Sequence, residues 1–223
     1  MSDMADGSKP IENSALPGVS RFQGKVAVVA GAEHPLGASL CERLARFGAV
    51  VVAMGWCDDT LHQLAAKLPE RIEPLALHQG RRDVLALLKE AWESEPLDIY
   101  MDLSPLCETG QERQGFAASA GMAQALQSGM RAGKARGIMA LPQSSARDTP
   151  EAQARTAGYA ALMRRLARQA APARLCGLSL RAEGHDWTVA DCLSAGDLML
   201  AMCHDITRGL HPGSIVEWSS CND

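Results

Sequence analysis

Lysine is scarce in this chain, and a basic excess is missing. Its 223 residues carry lysine only at positions 9, 25, 67, 89 and 134, and 22 basic side chains face 26 acidic ones, a net charge of −4. A surface that neutralises nucleic-acid phosphates needs the opposite balance, so no nucleic-acid partner is expected. No apolar run approaches the ~18–20 residues that a bilayer core demands, so no membrane span is expected either. The opening residues, MSDMADGSKP, lack the basic start and apolar stretch of a secretory leader. The seven cysteines (41, 57, 107, 176, 192, 203 and 221) are odd in number and form no C-x-x-C pair. These features predict a cytoplasmic protein with reduced thiols. Cys203 and His204 have no further ligands at metal-site spacing, so no metal is expected.

What is present is an alternation of short apolar runs and helical stripes. Residues 1–23 are polar and broken by Pro10, Pro17 and Gly18, which predicts a flexible arm. Residues 24–223 show no repeat and no shift in composition, which predicts one domain. Val26–Ala30 is a continuous β-branched run of the kind a strand buried on both faces requires. Leu36, Leu40, Leu44 and Phe47 follow at helical spacing, and Gly48 ends that helix. The alternation then continues. Strands are expected at 49–54, 73–78, 98–103, 137–141, 174–180 and 214–219, and helices at 60–68, 83–94, 115–135, 150–169 and 188–207. Strands alternating with helices predict an α/β fold: a single Rossmann-like, doubly wound parallel sheet flanked by helices.

The unit Gly24-Lys25-Val26-Ala27-Val28-Val29-Ala30-Gly31, followed by Ala32-Glu33-His34-Pro35-Leu36-Gly37, resembles the opening of the short-chain dehydrogenase/reductase family. There a T-G-x-x-x-G-x-G turn follows the first strand. The resemblance implies NAD(P) binding and hydride transfer through a Ser–Tyr–Lys set. The glycines of such a turn let the backbone approach a pyrophosphate seated on the helix N-terminus. Gly31 and Gly37 remain as cofactor-turn positions, but Pro35 replaces the middle glycine and brings no N–H. Glu33 adds an anion where phosphate charge belongs. Where the second strand should end in an acid for the ribose, Gly55 and Trp56 stand, and Asp58 and Asp59 come late enough to read as the start of the next helix. His78 occupies the place of the acid that meets the adenine. Asp102-Leu103-Ser104-Pro105 replaces the family's N-N-A-G.

The catalytic positions have changed in the same way. A family tyrosine is made acidic by a lysine one turn later. Tyr159 lies in the right helix, with Met163 in the lysine's place. Tyr159, Leu162, Met163 and Leu166 make one apolar stripe, which predicts a packing role. Ser144 and Ser145 lie near the family serine's place and read equally as a loop and helix entry. No asparagine occurs between residues 14 and 221. Beyond the motifs, the region that the family uses as a lid is short.

The resemblance therefore implies a non-catalytic subunit that binds no NAD(P) itself and pairs with a homologous catalytic subunit carrying NAD(P), or with a second copy. It is similar to the cofactor-free subunit of heteromeric dehydrogenases such as hydroxybenzylsuccinyl-CoA dehydrogenase, which implies an acyl-CoA-type hydroxy or keto substrate for the complex. Helices 115–135 and 150–169 and the C-terminal strand are expected to carry the interface. Small residues at Ala120, Ala123, Gly129, Gly158 and Ala161 would allow close packing there, with Trp218 as an anchor. Two alternatives stay open. One is an atypical NAD(P)-dependent oxidoreductase using Tyr159 with Ser144 or Ser145. The other is a stand-alone binding or regulatory protein.

Overall fold

A computed structural model describes residues 21–77, 82–107, 112–143, 149–180, 186–204 and 210–218. Residues 1–20 of the expected arm, together with His78, Ser144 and Ser145, lie outside the described residues.

Seven parallel strands form one sheet: β1 (Val26–Ala30), β2 (Val50–Gly55), β3 (Ile72–Ala76), β4 (Ile99–Asp102), β5 (Arg136–Pro142), β6 (Arg174–Leu180) and β7 (Ile215–Glu217). Their spatial order is β3-β2-β1-β4-β5-β6-β7. The helices are α1 (Pro35–Arg46), α2 (Asp58–Lys67), α3 (Arg82–Ala91), α4 (Glu112–Ala125), α5 (Gln127–Ala132), α6 (Pro150–Gln169) and α7 (Val189–Cys203).

The alternation of strand side chains builds two cores. Ala27 and Val29 of β1 face α1, α2 and α7, where Leu36, Leu40, Leu44, Leu61 and Met199 are buried. Val28 and Ala30 face α3 to α6, where Leu88, Met122, Met130, Tyr159 and Leu166 are buried. A strand buried on both faces has to be apolar throughout, which is why Val26–Ala30 reads as an unbroken run.

The expected order of elements holds, with adjustments to two helices. Helix 115–135 divides into α4 and α5 at Leu126. Gly129 of α5 seats against Trp92 and Glu95, and its carbonyl accepts from the Leu97 amide at 3.0 Å. The last helix is shorter than the apolar pattern implied, ending at Cys203. Asp58 and Asp59 do open α2, where acidic side chains suit the helix dipole. No helix among the described residues is long and apolar enough to cross a membrane.

Strand order reverses between β1 and β4. In open parallel sheets the crevice beyond the carboxyl ends at such a point is where ligands bind.

Candidate functional site

The switch-point crevice is closed in by the turn that follows β1. Gly31 sits at φ 75°, and a Cβ there would lie 2.7 Å from the backbone of both Leu103 and Ser104. A Cβ on Gly37 would run into the Gly31 carbonyl. Both glycines are thus required by the chain's own packing: the first by the β4 exit, the second by the entry of α1 beneath the turn.

His34 is the N-cap of α1. Its Nδ1 accepts from the Leu36 amide at 3.2 Å, and Pro35 follows at the first helical position. An accepting Nδ1 requires the neutral ring, and burial pulls the His34 pKa down to about 4. The imidazole stands edge-on to Trp187, with centroids 5.1 Å apart. Trp187 in turn stacks on Trp218 at 5.7 Å and 12°. The Trp218 indole donates to Ser194 Oγ at 3.3 Å. Trp187 precedes α7 and Trp218 follows β7, so the C-terminal elements bear on the start of α1. Arg43 pairs with Asp197 and ties α1 to α7 further along. Trp218, expected as an anchor for a partner, is only 5 % exposed and serves inside the chain.

Glu33 reaches across to the end of β2. Its Oε1 accepts from the Trp56 amide at 3.1 Å, while Oε2 is buried without a hydrogen-bond partner. A side chain at Gly55 would begin where that carboxylate lies. Burial raises the Glu33 pKa, and the backbone bonds at Glu33 and Trp56 oppose the rise. The Trp56 side chain is exposed at this edge.

Asp102 ends β4 and is wholly buried. It accepts from the Ser104 amide at 3.0 Å and from the Tyr100 hydroxyl at 3.3 Å. Burial raises its pKa, and the Ser104, Ser119 and Tyr100 groups around it oppose that rise. Its bond to the Ser104 amide braces the β4 exit, and its buried carboxylate does not face the crevice as an open charge.

Of the candidate catalytic residues, Tyr159 is the one that lies among the described residues. Tyr159 is 0 % exposed, with its ring 5.3 Å from that of Phe116. Met163, one turn on, is also buried, and its methyl lies against Gly177 of β6. The α6 N-terminus is capped by Thr149, and the Thr156 hydroxyl donates to the Pro142 carbonyl at 3.0 Å. Of the small residues expected at a partner seam, Ala123 and Gly129 are buried within the chain. Ala120 and Gly158 are half-buried, and Ala161 is exposed.

The sequence reading missed the cap formed by His34 and the Trp187–Trp218 stack. A histidine before proline at a helix start was the available signal for the cap. Glu33 was read as a stray anion; Gly55 in place of an acid was the matching half of its contact.

Comparisons with known proteins follow the fold. No protein-family model matches the chain. A farnesol dehydrogenase from Aedes aegypti is 41 % identical over 66 residues, which is 30 % of this chain and 26 % of that protein, so the chain spans about a quarter of the curated relative it matches. Among solved structures, a short chain dehydrogenase from Mycobacterium smegmatis superposes with a TM-score of 0.66 at 18 % identity, covering 92 % of this chain and 95 % of that one. A short chain dehydrogenase from Bacillus anthracis gives 0.70 at 14 %, covering 91 % and 96 %. One from Escherichia coli CFT073, described as putative, gives 0.64 at 15 %, covering 91 % and 99 %. The architecture of this chain is that of the short-chain dehydrogenases.

Proposed function

We propose that this chain is a short-chain-dehydrogenase-type subunit that performs no hydride transfer itself, holds no NAD(P), and supports a catalytic paralogue in a hetero-oligomer. The observation that carries this reading is the pairing of a fully buried Tyr159 with Met163 one turn later. A phenol becomes a useful acid near neutral pH only when a cation lowers its pKa, and a thioether supplies no charge. The crevice residues support the same reading. A dinucleotide does not fit them: the N-terminus of α1 is capped by His34, Pro35 offers no amide, and the Glu33 carboxylate lies against Gly55. The Glu33 carboxylate occupies the strand end where a ribose would approach.

Association is proposed through the outer faces of α4 and α6, where Phe116 and Ala161 are exposed, and through the edge strand β7. Arg164, Arg165 and Arg168 are exposed along α6 and suit a partner's carboxylates. The compartment is proposed to be the cytoplasm, and the substrate of the complex an acyl-CoA-type hydroxy or keto compound.

The test is co-expression with candidate catalytic relatives. This chain should co-purify in fixed stoichiometry and raise or sustain the partner's turnover. A stable monomer with no co-purifying partner would overturn the subunit role. A second reading, an ordinary NAD(P)-dependent dehydrogenase, is favoured by the 41 % identity over 66 residues to a farnesol dehydrogenase. It predicts micromolar cofactor binding and turnover by the isolated chain.

A further inference from the structure

Two features of the turn are of one kind. In a dinucleotide unit of this architecture, the N-terminus of the first helix receives a pyrophosphate, and an acid ending the second strand receives the ribose hydroxyls. Here the amide that would meet phosphate, that of Leu36, is already bonded to His34 Nδ1, and Trp187 stands against the imidazole. The second strand ends without an acid, and Glu33 delivers a carboxylate from the turn to the place where a Gly55 side chain would begin. The two positions are reciprocal: the strand end is a glycine where the carboxylate needs room.

We infer that Glu33 and His34 are intramolecular ligands that hold the ribose and pyrophosphate seats of a dinucleotide from inside the chain. The crevice thereby keeps the shape of a loaded nucleotide unit with no nucleotide. The inference rests on the proposed absence of NAD(P). It goes further by naming the groups that hold the seats and by stating that emptying the seats reopens them.

The contacts carry the marks of a substitute and not of a matched site. Glu33 Oε1 has a donor in the Trp56 amide, but Oε2 is buried against Gly55 with none. A buried acceptor normally meets a donor, and in a nucleotide complex a ribose hydroxyl supplies it. Pro35 fixes φ at the first helical position and keeps the His34 cap in place without offering an amide of its own. The Glu33 carboxylate is the far end of a flexible side chain, so an added side chain at Gly55 displaces it at small cost.

The experiment uses the full chain carrying Glu33→Ser, His34→Gly, Pro35→Gly and Gly55→Asp. These restore a small turn, free the Leu36 amide and return an acid to β2. NAD is the probe in calorimetric titration. The fourfold variant is expected to bind NAD at least ~10-fold more tightly than the wild type. If neither protein binds, the intramolecular-ligand inference is overturned, while the non-catalytic reading stands. If the wild type binds tightly, both fail.

Amide hydrogen exchange on the wild type, Glu33→Ala and His34→Ala gives an independent reading should the fourfold variant not fold. Exchange at Trp56 should rise at least ~10-fold in Glu33→Ala, and exchange at Leu36 likewise in His34→Ala. Unchanged exchange at both amides overturns the inference.

Discussion

The turn after β1 and the middle of α6 are the two places where the resemblance leads one to expect dehydrogenase chemistry, and they are built in opposite ways. At the turn, polar seats are filled by polar side chains: His34 accepts from Leu36, and Glu33 accepts from Trp56. In α6 Met163, where the resemblance leads one to expect a lysine, is buried in the core with Tyr159 and Leu166. The difference follows from what each site leaves behind. A helix N-terminus carries amides that need acceptors, and His34 supplies one. A position on a helix flank carries no such demand, so an apolar side chain packs there and gains burial.

That contrast predicts different sensitivities. Tyr159→Ala strikes the apolar site and should cost about 3–5 kcal/mol through the cavity it leaves, read from denaturant midpoints. A loss under about 1 kcal/mol would mean that the core around α6 is loosely packed. Trp218→Ala should cost a similar ~3–5 kcal/mol and should also loosen His34 through Trp187, which stacks on Trp218 and meets the imidazole edge-on.

The turn should respond to acid. His34 in the folded chain has a pKa of about 4, below its ordinary 6.5, so the fold favours the neutral ring. The associated stability is fully present above pH 6.5 and is lost as pH falls from 6.5 towards 4, by at most about 3 kcal/mol. His34→Asn keeps an N-cap acceptor and removes the titration. Melting temperatures of the two proteins from pH 7 to 4 should therefore diverge, with the wild type falling faster. Parallel curves would contradict the neutral cap.

The smallest effect belongs to Tyr159→Phe. Removing one hydroxyl from a packed ring should change stability by about 1 kcal/mol, the net scale of one hydrogen bond. In an assembled complex it should leave turnover unchanged. If the variant abolished turnover while melting like the wild type, Tyr159 would be a catalytic acid.

The inner strands of the sheet were legible in the sequence because they are buried on both faces. Val26–Ala30 and Arg174–Leu180 read directly from composition, and both appear with those bounds. The exposed ends were harder. The pattern 115–135 reads as one helix because its alanines favour helix and no proline interrupts it. The division at Leu126 is set by the docking of Gly129 on Trp92, a long-range contact that local pattern does not contain.

That Pro35 has no amide, Gly55 no acid and Met163 no charge was also legible. The contacts made at the turn were not. Glu33 and Gly55 are 22 positions apart in sequence and meet only because β1 and β2 pair in parallel, placing Ala30 beside Met54. The bond from Trp218 to Ser194 depends likewise on β7 closing against β6.

The central claim is that this chain keeps a dinucleotide fold and holds no dinucleotide. Calorimetric titration of the purified wild-type chain with NAD and with NADP tests it most directly. No binding tighter than about 1 mM is expected for either, a limit near −4 kcal/mol. A micromolar dissociation constant for one of them would contradict the account.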